Sequence, residues 1–209
     1  MMQTVLEQTK TRHEISNGSK VKKNGVPHVI RWSVDEYYKM DEAGMFQGRR
    51  VQLIGGEIIE MAPMGTTHST AVRLVVSCLR KVFGDGFVVD SQLPLGLGKF
   101  DEPEPDVAII EGDIRDFTNV HPSTARLIIE VADSSLKLDR GQKVGLYAEN
   151  GIAEYWILNL KQRQLEVFRK PVFDGETADY TERLIIAEDD FVSPSERPDS
   201  RLKVKDMLP

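Results

Sequence analysis

The chain has 209 residues, of which 40% are hydrophobic and 29% charged, and its net charge is −6. This composition is typical of a globular domain with a core of useful size, and the acidic balance argues against strong non-specific binding of nucleic acid, which basic proteins provide. The single cysteine, Cys78, excludes an internal disulfide. The sequence shows no run of about 18 apolar residues and no secretory leader. We therefore expect a cytoplasmic protein without a membrane partner.

The first part of the chain predicts a tail, a helix and a hairpin. Residues 1 to 27 are rich in turn-forming residues, which predicts a flexible tail, and we expect residues 28 to 209 to form a single domain. Ser33 with Glu36 three positions later is a capping box, which predicts a short helix. The two alternating runs between residues 51 and 61, joined by two glycines, are typical of a β-hairpin.

The middle and end of the chain predict a mixed α/β fold. Apolar residues from Val72 to Val82 follow a helical period and predict a helix of about four turns. The apolar runs 106 to 110 and 125 to 131 are typical of central strands. A helix with Asp139 as its N-cap is predicted over residues 140 to 149, followed by further strands. We therefore predict the α/β (α+β) class, with a mixed central β-sheet flanked by helices.

Familiar catalytic signatures are absent from the sequence. It contains no phosphate-binding loop, no zinc-protease His-Glu-x-x-His, no esterase Gly-x-Ser-x-Gly and no dinucleotide fingerprint. Four scattered histidines make a histidine-rich metal cage implausible. Candidate chemistry must therefore come from the carboxylates.

Two acids sit at the ends of the predicted central strands. Asp106 opens the first apolar run and Glu130 lies near the end of the second. If consecutive strands pair antiparallel, these side chains lie at the same end of the sheet core, where two buried carboxylates repel unless a cation joins them. Oxygen ligands of this kind suit Mg²⁺ or Mn²⁺. The alternative is structural: Asp106 begins a strand and Glu130 pairs with Arg126.

Three further residues belong to the same hypothesis. Lys143, on the helix that follows Glu130, could contact a phosphate or position water, or it could simply pair with Asp139 four residues earlier. Glu57 follows the hairpin turn and His68 opens the first long helix. Each is a candidate auxiliary residue for metal or water, with an ordinary surface acid and a helix-end histidine as the alternatives.

Several stretches together resemble the Uma2 family of restriction-endonuclease-like proteins over about residues 33 to 170. The most specific blocks run from Leu127 to Ser135 and from Asp139 through Trp156, and Pro105-Asp106 and His68 also match. The resemblance implies the PD-(D/E)xK nuclease fold. In that superfamily a lysine often follows the second acid by two positions, but here that position is Ala132, and the family pattern suggests that Lys143 replaces it.

The resemblance implies a metal-dependent endonuclease that hydrolyses phosphodiester bonds of DNA, with duplex DNA as the expected substrate. Asp106 and Glu130 would bind the metal and Lys143 would stabilise charge or orient water. We expect a homodimer, because enzymes that cut both strands often work as symmetric pairs. Two alternatives stay open: a catalytically silent binding module of the same fold, and an assembly protein that pairs through a sheet edge or the Tyr155-Trp156 region.

Overall fold

The computed structural model describes residues 28 to 209, and the predicted tail lies outside this range. Within it the helices are α1 Val34–Glu42, α2 Thr66–Val82, α3 Leu136–Leu138 and α4 Val144–Glu149, with a π-helical turn Asp139–Lys143 between the last two. None of these helices is long and apolar enough to cross a membrane. The strands are β1 Val51–Ile54, β2 Glu57–Glu60, β3 Phe87–Asp90, β4 Val107–Glu111, β5 Leu127–Ala132, β6 Glu154–Asn159, β7 Gln164–Phe173, β8 Ala178–Ala187, β9 Phe191–Val192 and β10 Leu202–Lys203.

Strands β3 to β8 form one six-stranded sheet in sequential order. Neighbouring strands are antiparallel except β5 and β6, which are parallel and are connected through α3, the π turn and α4. The hairpin β1–β2 and the pair β9–β10 stand as separate two-stranded sheets. The predicted class, a mixed central sheet flanked by helices, is confirmed.

The central strands are buried because helices cover both faces of the sheet. Every residue of β5 and β6 is buried, as near-continuous apolar runs require. Helix α2 packs its apolar stripe on one face, against residues such as Ile109 and Trp156. Helix α4 covers the other face, against residues such as Ile128 and Ile157. The carboxyl end of β5 therefore lies between two helical layers.

Local signals near the N-terminus are confirmed in detail. The Ser33 hydroxyl accepts a hydrogen bond from the Glu36 amide, and the Glu36 carboxylate accepts one from the Ser33 amide, as in a capping box. Gly55 and Gly56 both have positive φ, at 60° and 77°, in the turn that joins β1 to β2. A side chain at Gly56 would also collide with Arg31, whose Cβ lies 2.6 Å from the ideal Cβ position.

Tertiary contacts extend one strand and bury one candidate assembly surface. Strand β8, one of the strands predicted after residue 149, is ten residues long because it pairs along β7 over nearly its whole length. Tyr155 and Trp156 are both 0% exposed, so neither side chain is available for contact with a partner. Trp156 instead donates its indole N–H to Glu154 over 2.8 Å inside the core.

The packing predicts a large difference between two isoleucines. Ile109 in β4 is fully buried, whereas Ile185 in β8 is 71% exposed. We expect Ile109→Ala to lower the free energy of unfolding by about 2–5 kcal/mol because it leaves a cavity, and Ile185→Ala to change it by less than about 0.5 kcal/mol. Urea melts of both variants measure the difference, and equal losses would contradict this sheet assignment.

Candidate functional site

The antiparallel register of β4 and β5 brings the two predicted acids together. Val107 pairs with Ile129 and Ala108 with Ile128, so the next position places Asp106 opposite Glu130. Asp106 Oδ2 also accepts a hydrogen bond of 2.8 Å from the Val131 amide, which fixes the carboxylate at this end of the sheet.

Asp106 is held by three donors from different elements. Besides the Val131 amide, His68 Nε2 lies 3.0 Å and Gln92 Nε2 3.2 Å from Oδ1. His68 comes from the first turn of α2, and Gln92 follows β3 with a positive φ of 55°. Burial raises the pKa of Asp106, but the bonds from His68 and Val131 outweigh it and the net pKa is lowered. The same hydrogen bond raises the pKa of His68 against the opposing effect of burial.

Glu130 is enclosed and shares one oxygen between two donors. Its Oε1 lies 2.7 Å from Lys143 Nζ and accepts a hydrogen bond of 2.8 Å from the Tyr147 hydroxyl. Burial raises the pKa of Glu130 to about 7; Lys143 opposes the rise, and the nearby Asp106 and Asp139 add to it. The enclosed position therefore disfavours the charged form of Glu130, and Lys143 offsets this effect only in part.

Lys143 stands on a π-helical turn rather than near a helix start. The helical segment begins at Leu136, so Asp139 lies inside it with helical backbone angles and is not the predicted N-cap. π turns are frequent at functional sites. Lys143 Nζ lies 3.6 Å from Asp139 Oδ1, so the predicted pair between these residues exists alongside the closer contact to Glu130. Burial would lower the Lys143 pKa, but Glu130 and Asp139 reverse the direction and raise it.

A cavity of about 310 Å³ opens at this end of the sheet. Asp106, Glu130, Lys143 and His68 all line it, which unites four of the five candidate residues. Glu57 is not among the lining residues: it is exposed on β2, paired with Ile54 beside the hairpin turn. We therefore leave Glu57 out of the proposed site.

The structural alternative pairs Glu130 with Arg126, and that pairing is wrong. Arg126 pairs with Glu111 and lies 3.6 Å from Glu196, on the exposed side of the molecule. The partner of Glu130 is Lys143.

Two contributors to the site, Gln92 and Tyr147, are not predicted from the sequence, and a third, Asp139, is predicted only in part. Gln92 belongs to no motif, and only its position directly after the strand that pairs with β4 hints at its role. Tyr147 lies on α4 one turn after Lys143, at a spacing that also suits an ordinary core residue. The sequence predicts Asp139 as an N-cap, because Gln142 follows three positions later, and also as a partner of Lys143. The structure shows the pair with Lys143, and the Asp139 side chain is buried beside it.

The donor set fits a small divalent cation. Among residues 28–209 no three His, Cys, Asp or Glu side chains form a ligand cluster, so the chain offers a pair of carboxylates, Asp106 and Glu130. Mg²⁺ and similar ions commonly use one or two carboxylates and complete their shell with water and substrate phosphate. Burial, with the nearby Asp106 and Asp139, raises the pKa of Glu130, and a bound cation would favour its charged form.

Comparisons with known proteins identify a matching family model and a similar fold. The family model Uma2, described as "Putative restriction endonuclease", matches residues 34–204. A solved structure from Anabaena variabilis ATCC 29413, described as "a putative nuclease belonging to DUF820", superposes with a TM-score of 0.66 at 18% identity, covering 84% of this chain and 96% of that one. At that identity the likeness shows the fold alone. No curated protein matches the chain.

The contacts of Asp106 predict that its charge stabilises the fold. In Asp106→Asn an amide N–H₂ replaces an acceptor oxygen, so a buried donor from His68, Gln92 or Val131 loses its partner. We expect a loss of about 1–3 kcal/mol in the free energy of unfolding, measured by urea melts in chelator. Asp133→Asn is the control, because Asp133 is half-exposed at the cavity wall, and it should change stability by less than about 0.5 kcal/mol. An Asp106→Asn variant as stable as the control would contradict the three-donor arrangement.

Proposed function

The chain belongs to the Uma2 family, and on that premise we propose that it is a metal-dependent endonuclease that hydrolyses phosphodiester bonds of DNA. The observation that carries the proposal is the convergence of Asp106, Glu130 and Lys143 in one cavity at the end of the central sheet. The family model and the fold support nuclease chemistry in general, and the donor set supports the metal.

Asp106 and Glu130 are the residues that would hold Mg²⁺ or Mn²⁺. The ion supplies Lewis-acid polarisation of the phosphate and makes water a better nucleophile near neutral pH. Asp106 is held ready for this role by His68 and Gln92, which fix the direction of its carboxylate. Glu130 is held by Tyr147 through Oε1, and Oε2 has no hydrogen bond recorded within the described residues.

Lys143 provides the permanent positive charge of the site. Its side chain is 6% exposed and its raised pKa keeps it protonated, so the ammonium can bind a non-bridging phosphate oxygen and stabilise charge that develops there. Arg50 also lines the cavity, where it pairs with Glu104 over 2.8 Å. A phosphate that enters the cavity would therefore lie near two basic side chains, Lys143 and Arg50.

The acidic surroundings of the cavity limit how it can bind a polyanion. Glu60, Glu104 and Asp133 line the cavity, and the chain has a net charge of −6. Binding of a polyanion therefore depends on the cation and on a few placed basic groups rather than on a broad basic face. We propose duplex DNA as the substrate and a homodimer as the active form, with one cavity for each strand.

The alternative of a silent binding module rests on one contact. A site that has lost its activity is expected to show its acids in salt bridges, and Glu130 does pair with Lys143. The same pair is expected of an active site before its cation binds. An assembly role through a sheet edge retains the outer edge of β8 as its candidate surface, since β8 is the last strand of the sheet.

A cleavage assay separates these functions. Plasmid and single-stranded DNA are incubated with the purified protein in Mg²⁺, in Mn²⁺ or in chelator, and we expect cation-dependent cleavage. Glu130→Gln keeps the side-chain shape and should lower the rate at least about 100-fold, since even partners of metal ligands cost 10–100-fold.

The matched control is Glu57→Gln, the same substitution at an exposed acid outside the cavity, which should cleave like the parent. Activity retained in Glu130→Gln, or cleavage that persists in chelator, would refute the proposed mechanism. No cleavage by the parent with either ion would favour the silent binding module.

A further inference from the structure

Asp139 has a buried oxygen that accepts no hydrogen bond. The residue is 1% exposed, and its Oδ2 accepts a hydrogen bond of 2.6 Å from the Ser135 hydroxyl. Among side-chain nitrogen and oxygen atoms of residues 28–209 that are inaccessible to solvent, its Oδ1 is the one without a hydrogen bond. Buried polar atoms are almost always satisfied, so an exception beside a reactive centre calls for a physical reason.

Hydrogen bonds hold Asp139 in place, whereas its neighbour Lys143 has a long side chain that can adjust its position. The Tyr155 hydroxyl donates to the Asp139 carbonyl over 3.2 Å, and Ser135 holds the carboxylate from the preceding turn. Lys143 Nζ lies 3.6 Å from Asp139 Oδ1, slightly beyond hydrogen-bond distance. A shift of the ammonium by less than about 1 Å would complete this bond.

Lys143 and a cation compete for the same carboxylate. In this structure the ammonium lies 2.7 Å from Glu130 Oε1. A divalent cation on Glu130 would repel the ammonium, and a buried ammonium that loses its nearest counter-ion needs another acid within reach. Among the described residues, Glu130 and Asp139 are the acids within ion-pair distance of Lys143.

We propose that Asp139 is a positioning residue that receives the Lys143 ammonium when a divalent cation binds Glu130, so that the ammonium keeps a buried acceptor beside the phosphate. The inference rests on the proposed cation site and adds a defined movement to it. The unsatisfied Oδ1 is the acceptor that the lysine uses in the loaded state. The Ser135 bond keeps that acceptor in place in both states.

A crystal structure of the parent protein with Mn²⁺ tests the movement directly. We expect the distance from Lys143 Nζ to Asp139 Oδ1 to shorten to about 2.8 Å and the contact with Glu130 to lengthen beyond about 3.5 Å. A structure with Mn²⁺ on Glu130 and Lys143 still hydrogen-bonded to Glu130 would overturn the proposal.

A double-mutant cycle tests the same idea in solution without any turnover. Mn²⁺ dissociation constants are measured by electron paramagnetic resonance for the parent, Asp139→Asn, Lys143→Met and the double variant. Without Asp139 the ammonium stays on Glu130 and competes with the ion, so Asp139→Asn should weaken Mn²⁺ binding about tenfold. In the Lys143→Met background there is no competitor, and the same substitution should change binding less than about threefold.

The control for charge alone is Asp133→Asn, which removes an acid of the cavity wall whose recorded partner is Lys161. Its effect on Mn²⁺ binding should be the same with and without Lys143. If Asp139→Asn behaves like this control, or has no effect in the parent, the proposal is wrong. If Asp139→Asn does not fold by circular dichroism, Ser135→Ala carries the same cycle, because it releases the Asp139 carboxylate while keeping the charge.

The two proposals fail in different ways. A parent protein that does not bind Mn²⁺ refutes the metal-dependent function and this inference together. A parent that binds Mn²⁺, with no coupling between Asp139 and Lys143, refutes the inference alone.

Discussion

A carboxylate that is removed from water must find compensating charge, and Glu130 imposes this requirement on the whole site. It lies near the carboxyl end of an apolar strand, 3% exposed, with Asp106 and Asp139 nearby. One lysine and one tyrosine hydroxyl reach it inside the protein. The helical segment after β5 has to deliver both donors, and the sheet has to keep Asp106 in register. The arrangement is therefore built around an acid that the fold itself only partly neutralises.

Much of this geometry follows from the sequence. Two apolar runs of strand length, each with an acid at one end, suffice to predict that Asp106 and Glu130 meet, because antiparallel neighbours bring opposite ends together. Lys143 and His68 could be assigned to the same end from the elements that precede and follow these strands. The structure places all four on one cavity.

The other features of the site depend on tertiary contacts, which local sequence patterns do not predict. Asp139 with Gln142 reads as a capping box, yet the helical segment starts three residues earlier and the aspartate turns inward to Lys143. Glu57 follows a two-glycine turn and is exposed on β2, outside the cavity. Gln92 reaches Asp106 only because β3 pairs with β4.

If Glu130 binds a divalent cation, thermal melts of the protein with and without Mn²⁺ should show it directly. At about 100 times the dissociation constant the ion should stabilise the parent by about 2.7 kcal/mol, or roughly 5–10 °C in melting temperature for a domain of this size. Glu130→Gln should lose this rise, yet in chelator it should melt close to the parent, because the neutral form suits a site that raises the pKa of Glu130 to about 7. A parent that ignores Mn²⁺, together with a Glu130→Gln variant destabilised in chelator, would show that the acid serves only as the structural partner of Lys143.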